Sequence, residues 1–474
     1  MASQNKELSK NVIIFGIGTF GAKIMQMLLI PLYTVYMTTN GYGVSDLVNS
    51  TISLISPLLM IGIGGGVLRY VLGQQENEKS VLKLGILICL LSSLVVFLFT
   101  PLINKIELFE GFGWFIPILY CVNSFKNVLS QFCKAINRNA IYAADGAIST
   151  VTLTLFSILF LAVFKMGPFG YLLATTISKL LSVIYFAIMC PVVPTLKGSH
   201  IDLDLSKKVI AYSFPLTFNE LSWWIIQMSD RYMIAYFCSQ SLNGVYSMAY
   251  KIPGIFNLVV GIFIQAFGIT AIKECDNSRL KNGKYDGSYF SKLLEYYMGI
   301  TFIFVGIVIF VCRPLAYLFI KGDFYQCWIY IPLLLCAYCI GNLESYYGSI
   351  YSGVKKSTVV MRSTVTGMIV NVILNLILIP RLEAIGAAIA TIVGYFVVYF
   401  IRVINITKYV EMDTMFVKCI ISIILTFIIG AFYMIGNTLS IFIAGIAYLF
   451  IIIFYRTTLL KIIAKIKAKL TKAH

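Results

Sequence analysis

Residues 223–237, WWIIQMSDRYMIAYF, set Asp230 and Arg231 side by side in a run that is otherwise apolar. That run begins near residue 209, and at 1.5 Å per helical residue it is long enough to cross a hydrocarbon core of about 30 Å. A β-barrel would show alternating segments of about ten residues, and no such alternation occurs. The rest of the chain has the same character. Of its 474 residues 59% are hydrophobic and only 12% charged, with a mean hydropathy of +0.88, whereas a soluble domain carries roughly 25% charge. The expected fold is an all-α polytopic membrane protein.

Fourteen spans are expected, near 11–36, 45–70, 82–103, 113–135, 142–164, 168–190, 209–237, 244–270, 290–311, 325–350, 358–379, 384–405, 415–435 and 438–456. The net charge of +17 is not a nucleic-acid signature, because most lysines and arginines sit in the short connections. The N-terminal tail, alternate connections and the C-terminal tail KIIAKIKAKLTK together hold 27 of the 37 basic residues, and the opposite connections hold five. That asymmetry places the richer side, including 271–289, in the cytoplasm and predicts an N-in, C-in topology. No connection exceeds about 20 residues, which leaves no room for an extramembrane catalytic domain. The eleven cysteines are scattered, and Cys336 and Cys339 lack the flanks of a zinc or redox motif. No metal site and no cleavable signal peptide are expected.

An internal repeat is visible. Ser9-Lys10-Asn11-Val12-Ile13 opens the first span and Ser206-Lys207-Lys208-Val209-Ile210 the seventh. Gly41-Tyr42-Gly43-Val44 recurs as Leu242-Asn243-Gly244-Val245, and Gly167-Pro168-Phe169-Gly170 as Ala384-Ile385-Gly386, at offsets of 197, 201 and 216. The expected organisation is a six-helix bundle over 1–195, a cytoplasmic linker over 196–208, a second six-helix bundle over 209–406, and two further helices with a basic tail over 407–474. Same-orientation repeats are the architecture of carriers that rock about a central site.

SKNVIIFGIGTFGAKIMQMLLIPLYT at 9–34, IGIGGGVLRYV at 61–71, SDRYMIAYF at 229–237 and LNGVYSMAYKIP at 242–253 carry a resemblance. The chain resembles the Wzx-type polysaccharide exporters and lipid-linked oligosaccharide flippases, part of the multidrug, oligosaccharidyl-lipid and polysaccharide exporter superfamily. The resemblance implies a protein of the bacterial inner membrane without enzymatic activity. Its substrate would be an anionic lipid, an undecaprenyl-diphosphate-linked oligosaccharide moved to the outer leaflet for capsule or O-antigen synthesis. A monomer is expected, with a polymerase and glycosyltransferases as partners and no cofactor; whether H⁺, Na⁺ or no ion couples the transport stays open. Carried over by position, the family's outer acid–base pair falls on Asp230 and Arg231, and its inner arginine on Arg69. A flippase of peptidoglycan or teichoic precursors, a cation-coupled drug antiporter, and, in a different class, a membrane glycan polymerase or ligase remain the alternatives.

Ionisable groups within spans cost free energy and normally face a bundle interior. The five bases not counted with the connections lie well inside the spans: Lys23, Lys126, Lys179, Arg231 and Lys251. Lys23, Lys126 and Lys179 all belong to the first bundle, with no acid evident at their depth, and would form a positive pocket suited to a diphosphate; snorkelling is the alternative. Arg69, after the glycine-rich run at 62–66, and Lys134 and Arg138 would line the cytoplasmic mouth. Glu220 and Glu344 would couple transport to an ion or pair with a lysine. Asp230 would point inward and Arg231 toward headgroups or the outer gate.

Overall fold

A backbone in hydrocarbon finds no water to bond, so every N–H and C=O must be closed within the chain, and a sequence this apolar does so as helices. A computed structural model of the chain describes residues 25, 27–72, 78–196, 202–277, 284–461 and 464. The chain forms two compact units, one of residues 1–244 with 319–324 and one of residues 245–318 with 325–474.

The first unit contains α1 (Ile30–Tyr36), α2 (Thr39–Met60), α3 (Ile63–Leu72), α4 (Glu78–Leu98), α5 (Phe115–Ala135), α6 (Asn139–Ser157), α7 (Gly167–Met189) and α8 (Leu203–Phe237). Val48, Ile63, Val67, Leu82, Leu119 and Phe132 are fully buried in its core, while Leu94, Leu155 and Ile188 turn outward. An exposed leucine suits a lipid-facing surface, so the interior can accommodate polar groups. Many of these are hydroxyls that bond back to their own helix, such as Ser45 to Gly41 O at 2.8 Å and Thr51 to Leu47 O at 2.8 Å.

The expected second span, 45–70, is not one helix. Pro57 lies in the last turn of α2, and Ile61 and Gly62 then take left-handed backbone angles, φ 52° and 59°, before α3 begins. Glycine accepts such angles at little cost, whereas isoleucine does not. The GIGGG run therefore breaks the span instead of merely loosening it.

Helix α9 (Gln240–Ala249) leads from the first unit into the second, which continues with α10 (Lys251–Asn277), α11 (Ser288–Phe319), α12 (Ile331–Gly353), α13 (Ser357–Ile406), α14 (Phe416–Ile435) and α15 (Thr438–Phe454). A short parallel pair, β1 (Tyr285–Asp286) with β2 (Val410–Glu411), joins two connections of this unit, in register Tyr285 to Val410. This is the single departure from an all-helical chain among the described residues.

Eight helices among the described residues are long and apolar enough to cross a membrane, and a ninth is if Gly322–Ile329 and α12, bent by 51°, are one span. The sources of the difference from fourteen are specific. The 50 residues of α13 cover two expected spans, parted only by Glu383 at φ 50° three residues after Pro380. Helices α5 and α8 have the length, but charged and amide side chains such as Asn123, Lys126, Asp230 and Arg231 lower their apolarity. Helix α15 has 17 residues, and most of the expected first span lies outside the described residues.

The starts of α2 and α9 share a local geometry at an offset of 201 residues. Thr38 caps α2 by accepting from Gly41 N at 3.1 Å, and Ser239 accepts from Leu242 N at 3.1 Å, both members shifted by 201 residues. The two turns cross at Gly43 and Gly244: a Cβ on Gly43 would strike Gln240 O, and one on Gly244 would strike Thr39 O, again shifted by 201.

Candidate functional site

Helices α5 and α7 are joined by two rungs of equal register. Lys126 Nζ on α5 donates to Ser182 Oγ on α7 at 2.9 Å, and Lys179 Nζ on α7 donates to Asn123 Oδ1 on α5 at 3.0 Å. Each rung spans 56 residues of chain, and the rungs are one helical turn apart, so both lysines come from facing stripes of their helices. Asn123 also donates to Ser56 Oγ of α2 at 3.3 Å. The structure thus brings Lys126 and Lys179 into one polar network inside the first unit. Lys23 lies outside the described residues.

An acid stands at this depth after all. Asp145 on α6 is buried, and its Oδ2 lies 3.2 Å from Lys126 Nζ. The expectation of a purely positive pocket is corrected: one carboxylate, paired with Lys126, accompanies the two ammonium groups. Asp145 lies near the start of its expected span, where a charge reads as headgroup-level. Its helix nevertheless carries a signal, since Asp145, Ser149 and Thr152 recur at i, i+4 and i+7. Ser178 of α7 donates to Ser149 O at 2.8 Å and meets Thr152 Oγ1 at 3.0 Å on that same stripe.

Beside the network, the break between α2 and α3 leaves a polar cleft lined by Ser56, Gly62, Asn123, Asn127, Gln131 and Glu220. Glu220 on α8 is exposed there. Amide and hydroxyl groups of this kind hydrogen-bond sugars, and Asn123 belongs to both the cleft and the lysine network.

Arg231 does not reach for headgroups. Its Nη1 lies 2.9 and 2.7 Å from the two carboxylate oxygens of Asp46 on α2, and both side chains are largely buried. The same face of α8 adds Trp224 Nε1 to Ser50 O at 3.1 Å and the Tyr232 hydroxyl to Thr51. Positions 224, 231 and 232 are two helical turns apart and meet 46, 50 and 51 one turn apart, so this face of α8 is fixed to α2. Asp230 is fully buried, and its Oδ1 accepts from Arg231 N at 2.9 Å.

The bases expected at the cytoplasmic mouth take separate roles. Arg69 is exposed on α3, next to Tyr70, whose hydroxyl donates to Lys208 O at 3.3 Å. Lys134 covers the ring of Tyr142 with its ammonium 4.1 Å from the centroid, and Arg138 Nη1 donates to Met189 O at 2.8 Å. Lys134 and Arg138 thereby tie the ends of α5, α6 and α7 together.

In the second unit Glu344 pairs with Arg402, not with a lysine. Both are at most 1% exposed. The guanidinium is bonded by Ser363 Oγ at 3.0 Å, Thr364 Oγ1 at 3.0 Å and Glu344 O at 2.9 Å. Arg402 falls at the end of its expected span, 384–405, where a base is ordinarily a cytoplasmic loop charge. So complete a set of partners marks a structural pair more than a site open to substrate.

A family model described as "Polysaccharide biosynthesis protein" matches residues 8–267. Comparison with curated proteins finds no significant match. Among solved structures, the lipid II flippase MurJ in an inward closed conformation is similar at a TM-score of 0.68 and 15% identity, covering 94% of this chain and 100% of that one. A multidrug resistance MATE family transporter of the MOP superfamily, inward-facing, gives 0.57 and 15%, with 82% and 98% covered. A MOP superfamily transporter from Pyrococcus furiosus gives 0.53 and 13%, with 84% and 94% covered. At such identities these likenesses establish a shared fold.

Proposed function

The chain belongs to the polysaccharide biosynthesis protein family, and from that we propose that it is an alternating-access flippase that moves undecaprenyl-diphosphate-linked oligosaccharide repeat units from the cytoplasmic to the outer leaflet for a capsule or O-antigen-type polymer. The observation that carries the reading is the lysine network: Lys126 and Lys179 lie within the first unit, joined across α5 and α7, with a sugar-compatible polar cleft adjoining through Asn123. Two ammonium groups against one carboxylate leave a net positive charge, and in a poorly screened interior that charge attracts a diphosphate far more strongly than in water. No covalent bond is made or broken in such a role.

The finer features of the proposal are these. Fourteen spans run N-in and C-in in a bacterial inner membrane, arranged as six-helix repeats over 1–195 and 209–406, linked by 196–208 and followed by 407–474. Lys23 and Lys179 join Lys126 in holding the diphosphate, with Arg69, Lys134 and Arg138 toward the cytoplasm. Glu220, Asp230 and Arg231 serve gating or coupling, to H⁺ or Na⁺, whereas Glu344 is held by Arg402 as a structural pair. The protein works as a monomer alongside glycosyltransferases and a polymerase. The likeness to MurJ favours a second reading, a flippase of another lipid-linked precursor, which differs only in the glycan.

The test is translocation of labelled undecaprenyl-diphosphate oligosaccharides by purified protein in liposomes, with several glycans offered. Lys126→Gln should abolish translocation while the protein remains folded, Lys126→Glu should be no better, and Lys197→Gln should match wild type. Wild-type rates in both Lys126 variants would overturn the assignment of the site.

A further inference from the structure

Lys126 and Lys179 are not equivalent. Lys179 is held by the neutral amide of Asn123, but Lys126 is held by the carboxylate of Asp145 as well as by Ser182. Asp145 is 5% exposed, and its second oxygen, Oδ1, has no hydrogen-bond partner among the described residues. A buried carboxylate with one oxygen unbonded is costly, and the ion pair with Lys126 offsets part of that cost. Any anion that takes Lys126 must take it from Asp145.

The geometry points to Asp145 as an internal competitor for Lys126, a positioning residue that holds the ammonium while the site is empty, yields it to the diphosphate on loading, and draws it back on release. This inference rests on the reading that Lys126 receives the diphosphate. A carrier gains nothing from the tightest possible grip, because the group it binds on one side must be surrendered on the other. A resident carboxylate lowers the affinity and shortens the residence by the same interaction, and Lys179, with its neutral partner, keeps the site attractive throughout. The ammonium always has an anion, first the carboxylate and then the diphosphate, and on loading the buried carboxylate loses its ion pair, which favours return of the ammonium on release.

Binding of farnesyl diphosphate to the purified full-length protein tests this directly, alongside translocation of a labelled undecaprenyl-diphosphate oligosaccharide in liposomes. Asp145→Asn should bind farnesyl diphosphate about tenfold more tightly, and should lower both KM and kcat for translocation, since release slows as binding tightens. Asp145→Glu, which restores the charge, should return both parameters toward wild type. In the Lys126→Gln background, Asp145→Asn should no longer tighten binding, because the carboxylate acts through the ammonium. Asp145→Ser carries the same expectation where the asparagine variant does not fold. Wild-type or weaker binding by a folded Asp145→Asn or Asp145→Ser protein, with Lys126→Gln still impaired, would overturn this inference and leave the site reading standing. Wild-type binding by Lys126→Gln would overturn both.

Discussion

Arg231, one of the two charges in the WWIIQMSDRYMIAYF stretch, acts as a fastener. Arg231 bonds both oxygens of Asp46 in a largely buried setting, so removing either partner strands the other in low dielectric. Arg231→Ala should therefore cost about 2–3 kcal/mol of stability, while Asp46→Ala with Arg231→Ala should cost less than the two singles together. Thermal unfolding of the four proteins in detergent gives the coupling energy, and a value near zero would show that the pair is incidental. Glu344 and Arg402 follow the same logic in the second unit, where four oxygen acceptors surround one guanidinium. The lysine network differs because its groups are less evenly matched: two bases face one acid, and an unevenly compensated site is one with capacity for an incoming anion.

Among the helices, the crossing of α2 with α9 is the feature with the clearest consequence. The turns approach so closely at Gly43 and Gly244 that neither position accepts a Cβ, and Thr39 Oγ1 lies 2.6 Å from Ser241 Oγ beside them. Cysteines at positions 39 and 241 should form a disulfide under mild oxidation. If these turns separate during transport, as alternating access requires of one end of the protein, the crosslink should arrest translocation and a reducing agent should restore it. Unimpaired translocation by fully crosslinked protein would mean that this crossing never opens. The break at Ile61 and Gly62 is the other notable element, because it places an irregular backbone beside the polar cleft, with the two N–H groups closed back onto Leu58 O and Pro57 O.

For the complete chain the testable matter is orientation. With 27 basic residues on one set of connections and five on the other, residue 284 should be cytoplasmic and residue 321 external. Single cysteines at these positions, probed with a membrane-impermeant maleimide on intact cells, should label at 321 only. Labelling at 284 in intact cells would invert the topology and, with it, the direction proposed for transport.

Hydrophobic length and the distribution of charge were sufficient to read a helical membrane protein from the sequence, because a bilayer imposes one thickness and one backbone solution on any chain that crosses it. They also singled out Arg231, Lys126 and Lys179, since a charge inside an apolar run stands out in one dimension. The partners of the buried charges did not stand out. Asp46, Asp145 and Arg402 lie near the ends of their expected spans, where charges are ordinary, and their burial depends on which helix faces meet. The small parallel β pair and the left-handed break at Ile61 were likewise hidden, the first because it joins segments 125 residues apart and the second because four glycines in five positions do not say where a helix will turn. Span position follows from local composition, but pairing follows from the rotation and register of packed helices, which no single segment encodes.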